Sequence, residues 1–393
     1  MIRLSWLVSC SALLTGPVLL GGCGGTSVPY SNVLTSHISK VTPAGPPIIY
    51  AGPVNFPIPQ FLNGHIVACG LNDLVPGVFI DNVFTPMPGA TAFTAEPHFM
   101  AGNVAYGVTY ASDGYTVNGG FAWNLRSNAI TPMPNDRPNC VSPSGNKVSL
   151  FDASESYVID ARSGAITRPK LPSSQSFFVE AVADSGLAVG YIVDQSPQAK
   201  QFIESHYRAI SAMRKVRRFP SANLPVPPPV SFAGATMAYM TPDGTVTPSV
   251  MNIPPGYSGC YPFFGVTPKG EAATVIYADH DFYTAIAVWA PGNPTPKILT
   301  GPGAHETWGF SINSNGDIAG MYQIQGGSNN RGEIWPSGGK PGTLSCDLNA
   351  IFPLPNGALY YDIAACDAGS LNFAAEIQTV DGGWYYQVFK VTQ

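Results

Sequence analysis

Short apolar runs of five to eight residues recur along this chain, each closed by a small polar turn. Apolar residues at helical spacing are scarce; instead the sequence reads FLNGHIVACG, FMAGNVAYGV, VSPSGNKVSL, VADSGLAVGY, FGVTPKGEAATVIYA, GFSINSNGDIAGMYQ and CDAGSLNFAA. Each is a strand, a turn ending in Gly and a second apolar strand. An aromatic-rich strand and a Thr-Pro strand follow, most clearly in RGEIWPSGGKPGTLSCDL and TAIAVWAPGNPTPKIL. The turn glycine has a local reason, because a tight hairpin after Asn, Asp or Ser needs a residue at positive φ.

Gly64, Gly102, Gly145, Gly186, Gly270, Gly316 and Gly369 mark the repeat, at spacings of 38, 43, 41, 84, 46 and 53 residues. The long interval is one unit carrying an insertion at about 195–231, since GATMAYMTPDGTVTPSV has the ordinary two-strand ending. Seven units of four short strands at a period near 40–50 predict an all-β, seven-bladed β-propeller with a helical, Pro-rich insertion in blade 4. The propeller is expected over 48–393. The last unit lacks its fourth strand, and IIYAGPVNFPIP near the start is the expected donor. Composition agrees: 42 Gly and 38 Pro with only 11% charged residues exclude a helical or coiled-coil class.

The element Ser311-Ile312-Asn313-Ser314-Asn315-Gly316-Asp317-Ile318-Ala319-Gly320-Met321-Tyr322, followed by a Trp and a Gly-rich turn, resembles the HAF-type extracellular repeat. That resemblance implies fold and an extracellular address, not a chemistry. Lys147 and Ser149 depart from the repeat and make blade 3 its weakest copy. Residues 1–22 read as an export signal, with Arg3 before an apolar stretch. Leu20-Gly21-Gly22-Cys23 resembles a bacterial lipobox, which implies lipid attachment at Cys23. Gly24 and Gly25, in place of the Asp of an inner-membrane retention signal, imply the outer membrane. Residues 23–47 then read as a lipidated N-terminus and flexible tether.

No GxSxG, HExxH, Walker or GxGxxG pattern appears, and Ser144-Gly145-Asn146-Lys147 is read as a structural turn. The five cysteines after Cys23 lack CxxC spacing; buried free thiols are the reading, with one or two disulfides as the alternative. No cofactor is implied and no metal site is assigned. The net charge of −5 gives no attraction to nucleic acid. Candidate ligand-binding residues are rim-loop side chains: His98, Tyr115, Arg137, His280, His305, Trp308, Arg331 and Tyr361. Aromatics beside amides and carboxylates suit a glycan or an envelope protein partner; the alternative is that the rings cap blade interfaces. In the insertion, Arg208, Arg214, Lys215, Arg217 and Arg218 form a basic amphipathic cluster, either a docking element for an anionic surface or a solvated helix. The expected role is a lipid-anchored binding or scaffolding module, with an envelope polysaccharide lyase or hydrolase using rim His and carboxylates as the alternative.

Overall fold

A computed structural model describes residues 40–48, 58–62, 65–72, 75–91, 94–112, 117–152, 154–194, 235–278, 283–301, 303–324, 330–337, 346–370 and 372–392. The insertion with its basic cluster, Cys23, Tyr115 and His280 lie outside these residues. Seven antiparallel sheets follow one another along the chain, six of four strands and one of five. The protein is therefore an all-β, seven-bladed propeller. Blades are numbered here in chain order, and their strands as inner, second, third and outer.

The inner strands are Ile58–Leu62, Ala95–Ala101, Arg137–Val141, Gln175–Val182, the split pair Gly259–Cys260 and Gly265–Val266, Ala304–Ile312, and Leu359–Cys366. Apolar clusters lie between neighbouring sheets, as where Tyr191 and Val193 of blade 4 meet Phe263, Ile276 and Trp289 of blade 5. Blade 3 is a regular four-stranded sheet despite its weak sequence match. Its Lys147 pairs with Asp160 across the second and third strands, so the departure from an apolar residue is absorbed by an ion pair.

Two glycines of the repeat have different physical causes. At the first, Gly102, Gly145, Gly186, Gly270 and Gly316 all adopt positive φ, between 57° and 91°. Gly369 breaks the pattern: its φ is not positive, and its turn is closed by Ser370, whose hydroxyl bonds Asp367 at 2.7 Å. The second glycine faces a β-bulge. Inner strands of blades 2, 3, 4, 6 and 7 carry an extra residue at His98, Asn139, Glu180, Phe310 and Ala364, and those of blades 6 and 7 carry a second, nearer the start of the strand, at His305 and Tyr361. Opposite three of these bulges stand Gly107, Gly190 and Gly320. A Cβ there would lie 2.2, 1.9 and 1.9 Å from the carbonyl oxygens of Glu96, Phe178 and Trp308. Blade 5 puts Thr274 at this position; its hydroxyl donates to the carbonyl of Tyr261, and the inner strand splits in two there.

Third-strand tryptophans are structural. Trp123, Trp289 and Trp335 are all buried, and each indole N–H donates locally, to Asn128 Oδ1, Pro294 O and Thr300 O at 3.0, 3.2 and 3.4 Å.

Ring closure differs from expectation. The fourth strand of blade 7 is Lys40–Ile48, which pairs with Trp384–Thr392, whereas Ile58 and Pro59 open the inner strand of blade 1. Residues 40–47, expected as tether, are thus part of the sheet. Pro43, Pro46 and Pro47 hid this strand from sequence reasoning, yet an outermost strand tolerates residues without an N–H on its free edge. A bulge between Ala44 and Ile48, with Gly45 at φ 73°, is filled by Gln387, whose amide donates to the carbonyls of Ala44 and Gly45 at 3.2 Å each.

Buried and half-buried polar side chains stitch neighbouring inner strands. The Met100 N–H donates to Gln60 Oε1 at 2.8 Å, Asn139 donates to the Val179 carbonyl, Phe263 N–H donates to Glu180 Oε2 at 2.9 Å, and Cys366 N–H donates to Ser311 Oγ at 3.4 Å. These bonds join blades 1 to 2, 3 to 4, 4 to 5 and 6 to 7. Each bond spans two blades and so contributes to blade register.

Candidate functional site

The two ends of the ring are built differently. At one end lie the glycine turns between inner and second strands, and these converge. Asp184 of blade 4 accepts the N–H and hydroxyl of Ser144 in blade 3, at 2.9 and 2.7 Å, and the hydroxyl of Ser314 in blade 6 at 2.9 Å. The Ser314 N–H donates to the Ala368 carbonyl in blade 7 at 3.0 Å, and Gly145 sits against Leu62 of blade 1. Ser144 and Lys147 thus serve separate structural partners, Asp184 and Asp160. At the opposite end, hairpins between second and third strands and the connections between blades form the loop rim, where a rigid scaffold presents variable side chains.

On that rim, blades 5 and 6 bring rings into a row. Tyr257 precedes the inner strand of blade 5, Tyr283 ends its hairpin, and His305 begins the inner strand of blade 6. Tyr257 and Tyr283 lie 6.0 Å apart between centroids and share a hydrogen bond; Tyr283 and His305 lie 6.3 Å apart at 90°. All three are half-buried, leaving ring surface to solvent. Burial, then the neighbouring Tyr283 hydroxyl, pushes the Tyr257 phenol up to about 12, so it remains a neutral donor at physiological pH.

The same two blades hold a second cluster of rings. Glu306 Oε2 accepts the Trp308 indole N–H at 3.1 Å, Trp308 contacts Tyr261 at 5.2 Å, and Tyr261 meets Tyr277 at 5.3 Å. Trp308 and Tyr261 are only 8% and 3% exposed, so they are packed between blades rather than offered as a contact surface. Burial raises the Tyr261 phenol, with Tyr277 and Glu306 adding to it. Glu306 itself is half-buried and lies beside His305 in sequence.

Blade 7 continues the rim with Tyr361, set at 88° to Trp384 with centroids 4.7 Å apart and hydrogen-bonded to Asn330. Tyr361 is buried, and burial, then the carboxylates of Glu376 and Asp362, hold its phenol well above the ordinary range. Arg331 begins the third strand of blade 6 next to Asn330. The remaining described candidates stand apart on other blades. Arg137 is exposed at the start of blade 3, while His98 occupies the bulge midway along the inner strand of blade 2. Near Arg137, Asp136 accepts the Tyr157 hydroxyl at 2.8 Å, and Arg168 lies 4.6 Å over the Tyr157 ring while pairing with Asp152 and Glu155 at 2.9 Å each.

Tyr283 escaped sequence reasoning. It lies three residues beyond His280, and the fold brings it between Tyr257 and His305. Among the described residues, no three His, Cys, Asp or Glu side chains are placed to hold a metal ion. Cys69, Cys140, Cys260 and Cys366 are free thiols, and burial raises those of Cys69, Cys260 and Cys366. No described helix is long and apolar enough to cross a membrane.

No protein-family model matches the chain, and no curated protein matches its sequence. Solved propellers are similar in fold. TolB from Acinetobacter baumannii is 12% identical at TM-score 0.35, with 69% of this chain and 59% of TolB covered. The extracellular domain of the putative hybrid two component system BT4673 from B. thetaiotaomicron is 14% identical at TM-score 0.40, over 86% of this chain but 39% of that one. The β-propeller domain of the Trilobed protease from Pyrococcus furiosus is 11% identical at TM-score 0.35, over 75% and 92%. The chain therefore spans less than two thirds of each of the first two. Likeness at this level is a likeness of fold alone.

Proposed function

We propose that the protein is an exported, lipid-anchored propeller of the bacterial cell envelope that binds a glycan on its loop rim. The observation that carries the glycan reading is the row of half-exposed rings Tyr257, Tyr283 and His305, the last followed in sequence by Glu306. Rings offer flat apolar faces to the C–H face of a sugar, while the phenols, imidazole and carboxylate bond its hydroxyls. The HAF-like element at 311–322 supports an extracellular setting, and Leu20-Gly21-Gly22-Cys23 supports an anchor at Cys23 and sorting to the outer membrane.

Chain direction supports the same arrangement. Lys40 pairs with Thr392 at the converged end and Ile48 lies nearer the loop rim, opposite Tyr386. A tether from Cys23 would thus meet the ring at its closed end, presenting the ring row away from the bilayer. Glycan-array binding by the 24–393 chain tests the reading: wild type is expected to retain glycans, and Tyr283→Ala or His305→Ala to lose them. An array without any hit refutes it, and release of shortened product from a bound glycan would replace it with a polysaccharide-cleaving enzyme. Palmitate labelling that persists in Cys23→Ser would refute the anchor.

A further inference from the structure

A separate cleft of about 520 Å³ opens on the rim of blade 7, between the segment leading into its inner strand and the hairpin joining its second and third strands. Its size falls within the range of small-ligand sites. Leu354, Ala358 and Tyr385 line it and pack on the core between blades 6 and 7, which fixes the tyrosine ring as one wall. Val380 forms the lip and is 77% exposed.

Three polar residues, Asn356, Thr379 and Asp381, also line the cleft. Asn356 sits at φ 60°, ψ 22°, a left-handed conformation that Asn tolerates better than most side chains. Asp81 and Asn128, also at positive φ, use their side chains locally, on His65 and Ile66 and on Trp123; Asn356 is the one of the three that borders the cleft. Asp381 uses Oδ1 to hold its own hairpin, accepting the Thr379 hydroxyl and the Gly383 N–H. Those bonds keep its carboxyl below the usual range and hence ionised, and they leave Oδ2 out of the hairpin bonding. Asp381 is the one charge among the residues lining the cleft.

A fixed ring with an aliphatic wall complements the apolar face of a pyranose. An amide and a carboxylate complement its hydroxyls, and the negative charge opposes a uronate or a phosphorylated sugar. The geometry points to a subsite on blade 7 for one uncharged pyranose unit, held by Tyr385, Asn356 and Asp381. It rests on the glycan reading of the rim and extends that reading to a second, chemically selective contact.

The test uses the full chain in detergent with N-acetylglucosamine, galactose, mannose and glucuronate at millimolar concentration, read by saturation-transfer NMR and calorimetric titration. At least one neutral sugar is expected to bind, and glucuronate is not. Asn356→Gly removes the amide at a backbone conformation glycine adopts freely, so its thermal midpoint should not fall while affinity drops about tenfold. Tyr385→Ala should weaken binding by about tenfold or more, and Tyr385→Phe should retain most of it. If a neutral sugar binds wild type, Asn356→Gly and Tyr385→Ala alike but is lost in Tyr283→Ala, the subsite is refuted and the rim reading stands. Equal binding of glucuronate overturns the selectivity. Failure of all three neutral sugars overturns the subsite whatever the array shows, and an empty array removes the rim reading as well.

Discussion

Replacing Gly320 by Ala probes why the repeat carries its second glycine. The new Cβ would lie 1.9 Å from the Trp308 carbonyl oxygen, and real Cβ contacts stay beyond 3.0 Å, so one backbone must retreat by about 1.1 Å. The obstructing atom is a main-chain carbonyl at a bulge, with Gly309 Cα a further 3.1 Å from the same point, so no side-chain rotation relieves the clash. Overpacking of this kind costs roughly 1–3 kcal/mol, and rigid backbone on both sides places Gly320→Ala in the upper half of that range. Gly316→Ala meets no atom closer than 3.3 Å but is held at φ 91°, a strain of about 1–2 kcal/mol. Gly369→Ala has open space and no positive φ, so its effect should stay within about 0.5 kcal/mol. Urea unfolding of the three variants reads the order from the midpoints, provided the slope is unchanged. A Gly320→Ala midpoint equal to that of Gly369→Ala would refute the bulge argument.

Three further outcomes follow from the stitching and closure of the ring. Glu180→Ala removes the acceptor for the buried Phe263 N–H and should cost about 1–3 kcal/mol in urea unfolding, with Glu180→Gln recovering part of it. Deleting residues 1–48 exposes the edge of Trp384–Thr392 and should yield an aggregating chain by light scattering; a monodisperse, fully stable product would show that Lys40–Ile48 is dispensable. Asp160 is held below the usual carboxylate range chiefly by Lys147 and then by the Ser163 N–H and hydroxyl. Its contribution to stability is therefore present above the unfolded pKa of about 3.9 and lost as pH falls through the lower folded value. Lys147→Met should flatten that acid limb, and an unchanged limb would remove Lys147 as its cause.

The architecture was legible because each blade repeats the same local necessities. A positive-φ turn and a bulge facing a second strand each call for glycine, and Gly316 with Gly320 shows both within five residues. Legibility failed where another residue met the same need. Ser370 closes the turn in which Gly369 seemed the anchor, and a Pro-rich stretch at 40–48 serves as a strand because it lies on an edge. The candidate site was legible only as residue types. Trp308 and Tyr361 looked like contact rings, yet inter-blade packing buries them; Tyr283 looked ordinary and stands between two other rings. Which aromatic faces solvent depends on how two sheets meet, and no single repeat encodes that.

Asp184 alters how such a ring should come apart. In a chain of repeats each unit feels its neighbours only, and stability accumulates pair by pair. Here one carboxylate joins blade 4 to blade 3 and, across the ring, to blade 6, which is not its neighbour. Opening blade 6 alone must therefore break a contact to blade 4, so these blades should exchange their amide protons as one cooperative block while blades 1 and 2 open more readily. A single acidic side chain thereby converts part of a linear array into a unit that opens together or not at all.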